Sequence, residues 1–164
     1  RIDRGLFDKC AGRLNFHRHL PIAEPMAKRV LFVDDETSIL GIYQMLQPFL
    51  GEDYSVATAS SGEQALALME EERFDVIVSD LAMPEEDGYS LVSRIRELTP
   101  EKGGRIPALA LSAFASAESR QRAFESGFQR YLTKPFEPDL IVDQILALKE
   151  MGKAPELPPE PVTA

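Results

Sequence analysis

Four short apolar runs in this chain each end in a residue that carries chemistry. Val30-Leu31-Phe32-Val33 runs into Asp34-Asp35, Val76-Ile77-Val78-Ser79 into Asp80, Ala108-Leu109-Ala110-Leu111 into Ser112, and Tyr131-Leu132-Thr133 into Lys134. Continuous apolar runs of this length suit strands buried on both faces, as in a parallel sheet. In an open parallel sheet the ligand crevice lies outside the carboxyl ends of the strands, so residues distant in sequence meet there. The pattern therefore predicts three carboxylates, one hydroxyl and one ammonium in a single cleft, a combination suited to a divalent cation and a phosphoryl group.

Between the runs lie helix-periodic segments. The alternation predicts strands near 29–34, 54–59, 74–80, 106–111 and 130–133, and helices near 36–50, 62–72, 87–98, 116–126 and 138–149. Alternation of this kind is the signature of βαβ units. Right-handed crossovers place the helices on both faces of the sheet, giving a flavodoxin-like (βα)5 three-layer α/β sandwich. In the first helix Ile39, Ile42, Tyr43, Leu46 and Phe49 form the expected sheet-facing stripe, and in the fifth Leu140, Ile141, Ile145 and Leu148 do so. Pro107 opens the fourth strand, where a missing amide is tolerated. The segment Pro84 to Gly88 reads as a polar loop over the cleft, and the 116–126 helix, with few apolar residues, is expected to pack weakly.

The chain has 164 residues, enough for one core with tails, and a formal net charge of -9. Such a balance leaves no basic surface to neutralise nucleic-acid phosphates, so direct nucleic-acid binding is not expected. The lone Cys10 cannot form an internal disulfide, and no signal peptide or membrane-length apolar run is visible. A cytoplasmic protein without membrane contact is expected. Residues 1–27 read as an N-terminal extension or linker, 28–150 as the domain, and 151–164 as a Pro-rich flexible tail. The initial arginine points to a fragment or processed product, with Met26 a sensible natural start. His17 and His19 read as bystanders on a flexible segment.

Mg²⁺ takes hard oxygen ligands in a near-octahedral shell. Asp35 and Asp80 offer carboxylates, the backbone carbonyl of Ala82 a third oxygen, and Asp34 a hold on a coordinated water. A carboxylate can also attack phosphorus once the incoming charge is neutralised, and Lys134 with the metal can neutralise it from two sides. Ser112 can donate to a phosphoryl oxygen after transfer. Taken singly, each residue has an ordinary role: an acidic pair at a helix start, a turn aspartate, a capping serine, a strand-exit lysine. Their joint appearance at strand ends, in this order, is what points to a site.

These stretches, with Met83-Pro84, Asp87-Gly88, Ser112-Ala113 and Lys134-Pro135-Phe136, resemble the receiver domain of two-component response regulators over about 29–149. The resemblance implies strand order 2-1-3-4-5, which flavodoxin and a chemotaxis member of that family share. It implies that Asp80 is the phosphoacceptor, Asp34 and Asp35 the acidic pair holding Mg²⁺, Ser112 the switch hydroxyl, Lys134 the phosphate-binding lysine and Tyr131 the switch aromatic. Phosphorylation would then reshape the surface of the fourth helix, fifth strand and fifth helix. Ala82, which offers no side-chain hydrogen bond to an attacking water, and Phe114, as a shield, imply a slowly hydrolysed acyl phosphate. The implied partners are a histidine kinase or phosphotransfer protein; the sequence leaves open whether phosphorylation also drives a homodimer.

Two features bear on alternatives. Gly12-Arg13-Leu14-Asn15-Phe16 followed by Leu20-Pro21-Ile22-Ala23 resembles the last strand of a histidine-kinase ATPase domain, which implies the C-terminal receiver of a hybrid sensor kinase instead of a stand-alone receiver. Aspartate-nucleophile phosphatases use a similar residue set, but typically carry a second aspartate two positions after the nucleophile, where this chain has Ala82. A third reading, a docking domain that has lost phosphorylation, sits poorly with the complete acidic set.

Overall fold

A computed structural model describes residues 27–151. The expectations for 1–26 and 152–164, including Cys10, His17, His19, the kinase-like strand and the Pro-rich tail, lie outside the described residues. Five strands, β1 (Lys28–Val33), β2 (Tyr54–Ala59), β3 (Val76–Asp80), β4 (Ala108–Ser112) and β5 (Arg130–Thr133), form one parallel sheet in the order β2-β1-β3-β4-β5. The parallel α/β sheet is the one the alternation predicts, and its strand order is the one the resemblance implies.

The helices are α1 (Thr37–Gln44), α2 (Gln47–Leu50), α3 (Gly62–Glu71), α4 (Gly88–Arg96), α5 (Ala117–Ser126) and α6 (Pro138–Glu150), with a 3₁₀ turn at Pro100–Lys102. Pleating divides the strand side chains between two cores. Val30, Phe32, Val76, Val78, Leu109, Leu111 and Leu132 face α1, α2 and α6. Leu31, Val33, Ile77, Ala108 and Ala110 face α3, α4 and α5. Most of these strand residues are fully buried, which explains why their sequence reads as apolar runs without alternation.

The expected 36–50 helix is two helices. Pro48, in the first turn of α2, has no amide to donate, and in one continuous helix its ring would clash with the carbonyl four residues earlier, that of Gln44, where α1 stops. The expected stripe is corrected with it. Tyr43 and Leu46 are buried and Ile39 is partly buried, but Ile42 and Phe49 are 58% and 63% exposed, while Leu40 and Leu50 fill the core. In α6, Ile141, Ile145 and Leu148 are buried as expected, and Val142 takes the core place assigned to Leu140, which is 43% exposed. β3 and β4 begin two residues later than expected, so Pro107 precedes β4 instead of opening it. In α5 only Ala123 is buried, in keeping with a weakly packed helix.

The helix starts are capped by side chains in three cases: Ser61 accepts from the Gln64 amide, Asp87 from Ser90 and Ser116 from Ser119. Arg96, near the end of α4, ties the far ends of β4 and β5 together. Its guanidinium donates to the carbonyls of Gly127 and Gly104 and to Oε1 of Gln129. Partly buried and without an acid in that set of partners, it has its pKa lowered to about 10 by desolvation.

Candidate functional site

Register alone brings the chemistry-bearing residues together. Val33 pairs with Ser79, so Asp34 and Asp80, one residue on, stand side by side. Asp80 pairs with Leu111, Ser112 with Thr133, and the Lys134 amide donates to the Ser112 carbonyl at 2.7 Å. Pleat parity then sorts them. Asp34, Asp80 and Lys134 continue the face that packs on α1 and α6, whereas Ser112 and Tyr131 lie on the α4 and α5 face.

The acidic cluster is tight. One oxygen from each of Asp34, Asp35 and Asp80 lies within 4.8 Å of the others. Ligand oxygens on a Mg²⁺-sized ion at about 2.1 Å stand about 3 Å apart when adjacent and about 4.2 Å when opposite. The cluster therefore has the span and donor chemistry to hold a hard divalent cation. Asp34 is 1% exposed and Asp80 7%, while Asp35 faces solvent. Burial pushes the Asp80 carboxyl above the ordinary aspartate range; Lys134 opposes the shift, and the charges of Asp34 and Asp35 reinforce it.

Lys134 sits between two acids, its Nζ 3.1 Å from Asp80 Oδ1 and 3.3 Å from Asp34 Oδ2. Burial lowers its pKa, but the two carboxylates more than offset this, so the net shift is upward and the ammonium is firmly held. Asp34 does not cap α1. The cap position is Glu36, and Asp34 Oδ1 accepts the Glu36 amide at 3.0 Å. Its Oδ2 also accepts the hydroxyl of Tyr43 at 3.3 Å. Sequence reasoning placed Tyr43 only in an apolar stripe. The signal it passed over was a tyrosine amid aliphatic residues one helix from an acidic pair, because a buried phenol hydroxyl needs a partner.

Ser112 is 2% exposed, and its hydroxyl accepts the Phe114 amide at 3.0 Å, so it caps no helix. Tyr131 donates its hydroxyl to the Phe114 carbonyl and shares a 2.9 Å hydrogen bond with Ser119 Oγ. Tyr89 meets the same Ser119 oxygen at 2.8 Å, so one serine joins α4, α5 and β5. Phe114 itself is 65% exposed, and its backbone amide and carbonyl make the hydrogen bonds to Ser112 and Tyr131. Ala82 is exposed on the loop after β3.

That loop is held close to Asp80 by a glycine. A Cβ on Gly88 would lie 2.3 Å from the Asp80 carbonyl oxygen, and the Gly88 amide donates to Leu81 O at 3.0 Å. At the end of the expected polar loop, Gly88 serves close approach of the chain to Asp80. Glu86, farther out, pairs with Arg94 through both carboxylate oxygens.

The model of the response regulator receiver domain matches residues 30–146 of this sequence. The chain belongs to the response regulator receiver family. The receiver is 44% identical over 111 residues to an uncharacterised 14.6 kDa protein of Leptolyngbya boryana, covering 66% of this chain and 80% of that one. It is 37% identical over 139 residues to the probable transcriptional regulator ycf27 of Guillardia theta, and 38% over 110 residues to the transcriptional regulatory protein ZraR of Escherichia coli. These matches cover 84% and 67% of this chain, but only 52% and 24% of those regulators. The chain thus spans about half of one and a quarter of the other.

Among solved structures, the receiver is similar to the chemotaxis protein CheY4 of Vibrio cholerae, with 33% identity and a TM-score of 0.67, over 74% of this chain and 98% of that one. It is also similar to the receiver domain of the sensor histidine kinase PA1611 of Pseudomonas aeruginosa, with 30% identity and a TM-score of 0.66, over 76% and 98% of the chains. That domain was crystallised with a magnesium ion coordinated in its active-site cleft. No described helix of the receiver is long and apolar enough to cross a membrane.

Proposed function

We propose that this receiver accepts a phosphoryl group on Asp80 from a phosphohistidine donor, a histidine kinase or a phosphotransfer protein, in a reaction that requires Mg²⁺. A carboxylate oxygen of Asp80 attacks phosphorus, the phosphorus–nitrogen bond to the donor histidine breaks, and that nitrogen keeps the electron pair. The observation carrying this reading is Lys134 Nζ held 3.1 Å from Asp80 inside a cluster of three carboxylates. Asp35, Asp80 and the Ala82 carbonyl would bind the metal, with Asp34 holding one of its waters; bound Mg²⁺ neutralises charge on the phosphoryl oxygens. Lys134 would follow the phosphoryl group from the opposite side, and Ser112 would exchange its Phe114 amide for a phosphoryl oxygen.

Withdrawal of the Ser112 hydroxyl toward the phosphoryl group opens space on the α4 and α5 face for Tyr131. That move breaks the Tyr131 contacts to Phe114 and Ser119, and carries the signal into α5, β5 and α6. The domain is in this reading a signalling module that catalyses only its own phosphorylation and dephosphorylation, in a cytoplasmic setting. Ala82 leaves an attacking water without a side-chain partner, so the acyl phosphate outlives the seconds scale at neutral pH. The exposed Phe114 ring would add shielding only by folding over the phosphoryl group.

Amide correlation spectra with Mg²⁺ and beryllofluoride, a phosphoryl mimic, test the switch. The expected result is a set of shifts at Asp80, Ser112, Tyr131 and along α5, absent from Asp80→Asn. Shifts confined to the β3–α4 loop would leave the switching reading without support.

A further inference from the structure

Tyr43 is 3% exposed, and its ring stacks on Phe32 with centroids 4.5 Å apart and planes 16° from parallel. Phe32 precedes Asp34 by two residues on the same face of β1, so the stack aims the phenol along the strand toward the acidic cluster. An aliphatic side chain would fill this part of the core without bringing a polar atom, and the hydroxyl is therefore the informative part of the residue. It donates to Asp34 Oδ2.

Asp34 is thereby held by three donors, one at the start of α1, one within it and one just past the end of β5. The Glu36 amide holds Oδ1, while Tyr43 and Lys134 share Oδ2, each at 3.3 Å. The three differ in freedom. Lys134 is a flexible chain that also contacts Asp80, and on the proposed function it turns to the phosphoryl group. The phenol is pinned by its stacked ring and cannot follow. It is the donor that stays on Oδ2 when Lys134 leaves.

We propose that Tyr43 is a positioning residue for cation binding: its hydroxyl fixes the plane of the Asp34 carboxylate, so that the remaining lone pairs face the cation's water shell. The proposal rests on the receiver reading for the identity of the cation, and it concerns a residue with no direct contact to metal or phosphorus. Groups that orient a ligand from behind commonly change metal affinity by about 10- to 100-fold when removed. The bond here is long and Glu36 still holds Oδ1, so the lower end, about tenfold, is expected.

The test is Tyr43→Phe, which keeps the ring and its stack. Mg²⁺ alone is titrated into wild type and variant, followed by amide resonances around Asp34 and Asp35. Phosphorylation by acetyl phosphate is then measured across Mg²⁺ concentrations. The expected result is an Mg²⁺ dissociation constant raised about tenfold, with a maximal phosphorylation rate at saturating Mg²⁺ that matches wild type. A merely structural role predicts the reverse, a lower unfolding midpoint in EDTA with unchanged Mg²⁺ affinity. A dissociation constant within about twofold of wild type overturns the proposal, as does a wild type that binds no Mg²⁺. Tyr43-dependent Mg²⁺ binding in a protein that takes no phosphoryl group would uphold this inference and remove the phosphoacceptor reading instead.

Discussion

Replacing Asp80 by Asn is expected to stabilise the folded protein while abolishing its chemistry. The charge of Asp80 is drawn to Lys134 at 3.1 Å, worth about 5 kcal/mol at an effective dielectric constant of about 20. Against this stands Asp34, with a carboxylate oxygen within 4.8 Å, which repels it by about 3.5 kcal/mol or more on the same scale. Asp35 is exposed, and screening reduces its share to about 1 kcal/mol. The Coulomb contributions nearly cancel, leaving the desolvation of a carboxylate that is 7% exposed. That cost is several kcal/mol for a fully buried ion; with access to water at the cleft mouth, about 2 kcal/mol is a reasonable net value. The asparagine keeps the shape and loses the charge.

The pH dependence follows from the raised pKa of Asp80. Between the unfolded-state value and the higher folded one, the unfolded chain has released a proton that the folded protein retains. Stability of the wild type therefore falls as pH rises through that window, and the penalty is absent below both values. Thermal unfolding of both proteins in EDTA is the assay. At pH 7 Asp80→Asn should melt roughly 8 °C higher, on the scale of about 4 °C per kcal/mol for a domain of this size. The gap should close as pH falls toward the unfolded-state aspartate value of about 3.9. A variant no more stable than wild type at pH 7, or a gap independent of pH, would refute the reasoning.

Other expectations follow from single contacts. Gly88→Ala places a methyl carbon against the Asp80 carbonyl and should cost about 1–3 kcal/mol while slowing phosphorylation, measured by unfolding and by rate at saturating Mg²⁺. Arg96→Met strips the Gly104 carbonyl and Gln129 of their guanidinium donor; a loss of about 2–4 kcal/mol in urea unfolding is expected, with Mg²⁺ affinity unchanged. Ser119→Ala removes the oxygen shared by Tyr89 and Tyr131; about 1 kcal/mol of stability should go, and the Tyr131 resonances should shift toward those of the beryllofluoride state. Excess Mg²⁺ should raise the wild-type melting temperature with the logarithm of its concentration above the dissociation constant and leave an Asp35→Ala variant nearly unmoved.

The strand ends were legible because β1, β3 and β4 are buried on both faces and β5 keeps a short apolar stretch, and a chemistry-bearing residue stands at or just past the end of each. Asp34, Asp80, Ser112 and Lys134 are conspicuous for that reason. Helix faces were less legible. Pro48 marks the break at Gln44 that one continuous helix passes over, and the three-residue step from Ile39 to Ile42 draws the stripe to one side of the face that Leu40, Tyr43 and Leu50 bury. The hydroxyl of Tyr43 was invisible because periodicity treats tyrosine as an apolar residue and ignores where its oxygen goes. The role of Gly88 was likewise hidden, since a close approach between chain segments depends on a tertiary distance that no local pattern records.

The measurement that bears most directly on the central claim is the intact mass of the protein after incubation with acetyl phosphate and Mg²⁺, alongside Asp80→Asn and an EDTA control. A single phosphoryl adduct is expected in the wild type alone, lost when Mg²⁺ is chelated. An adduct that persists in Asp80→Asn or in EDTA, or no adduct in the wild type, would contradict it.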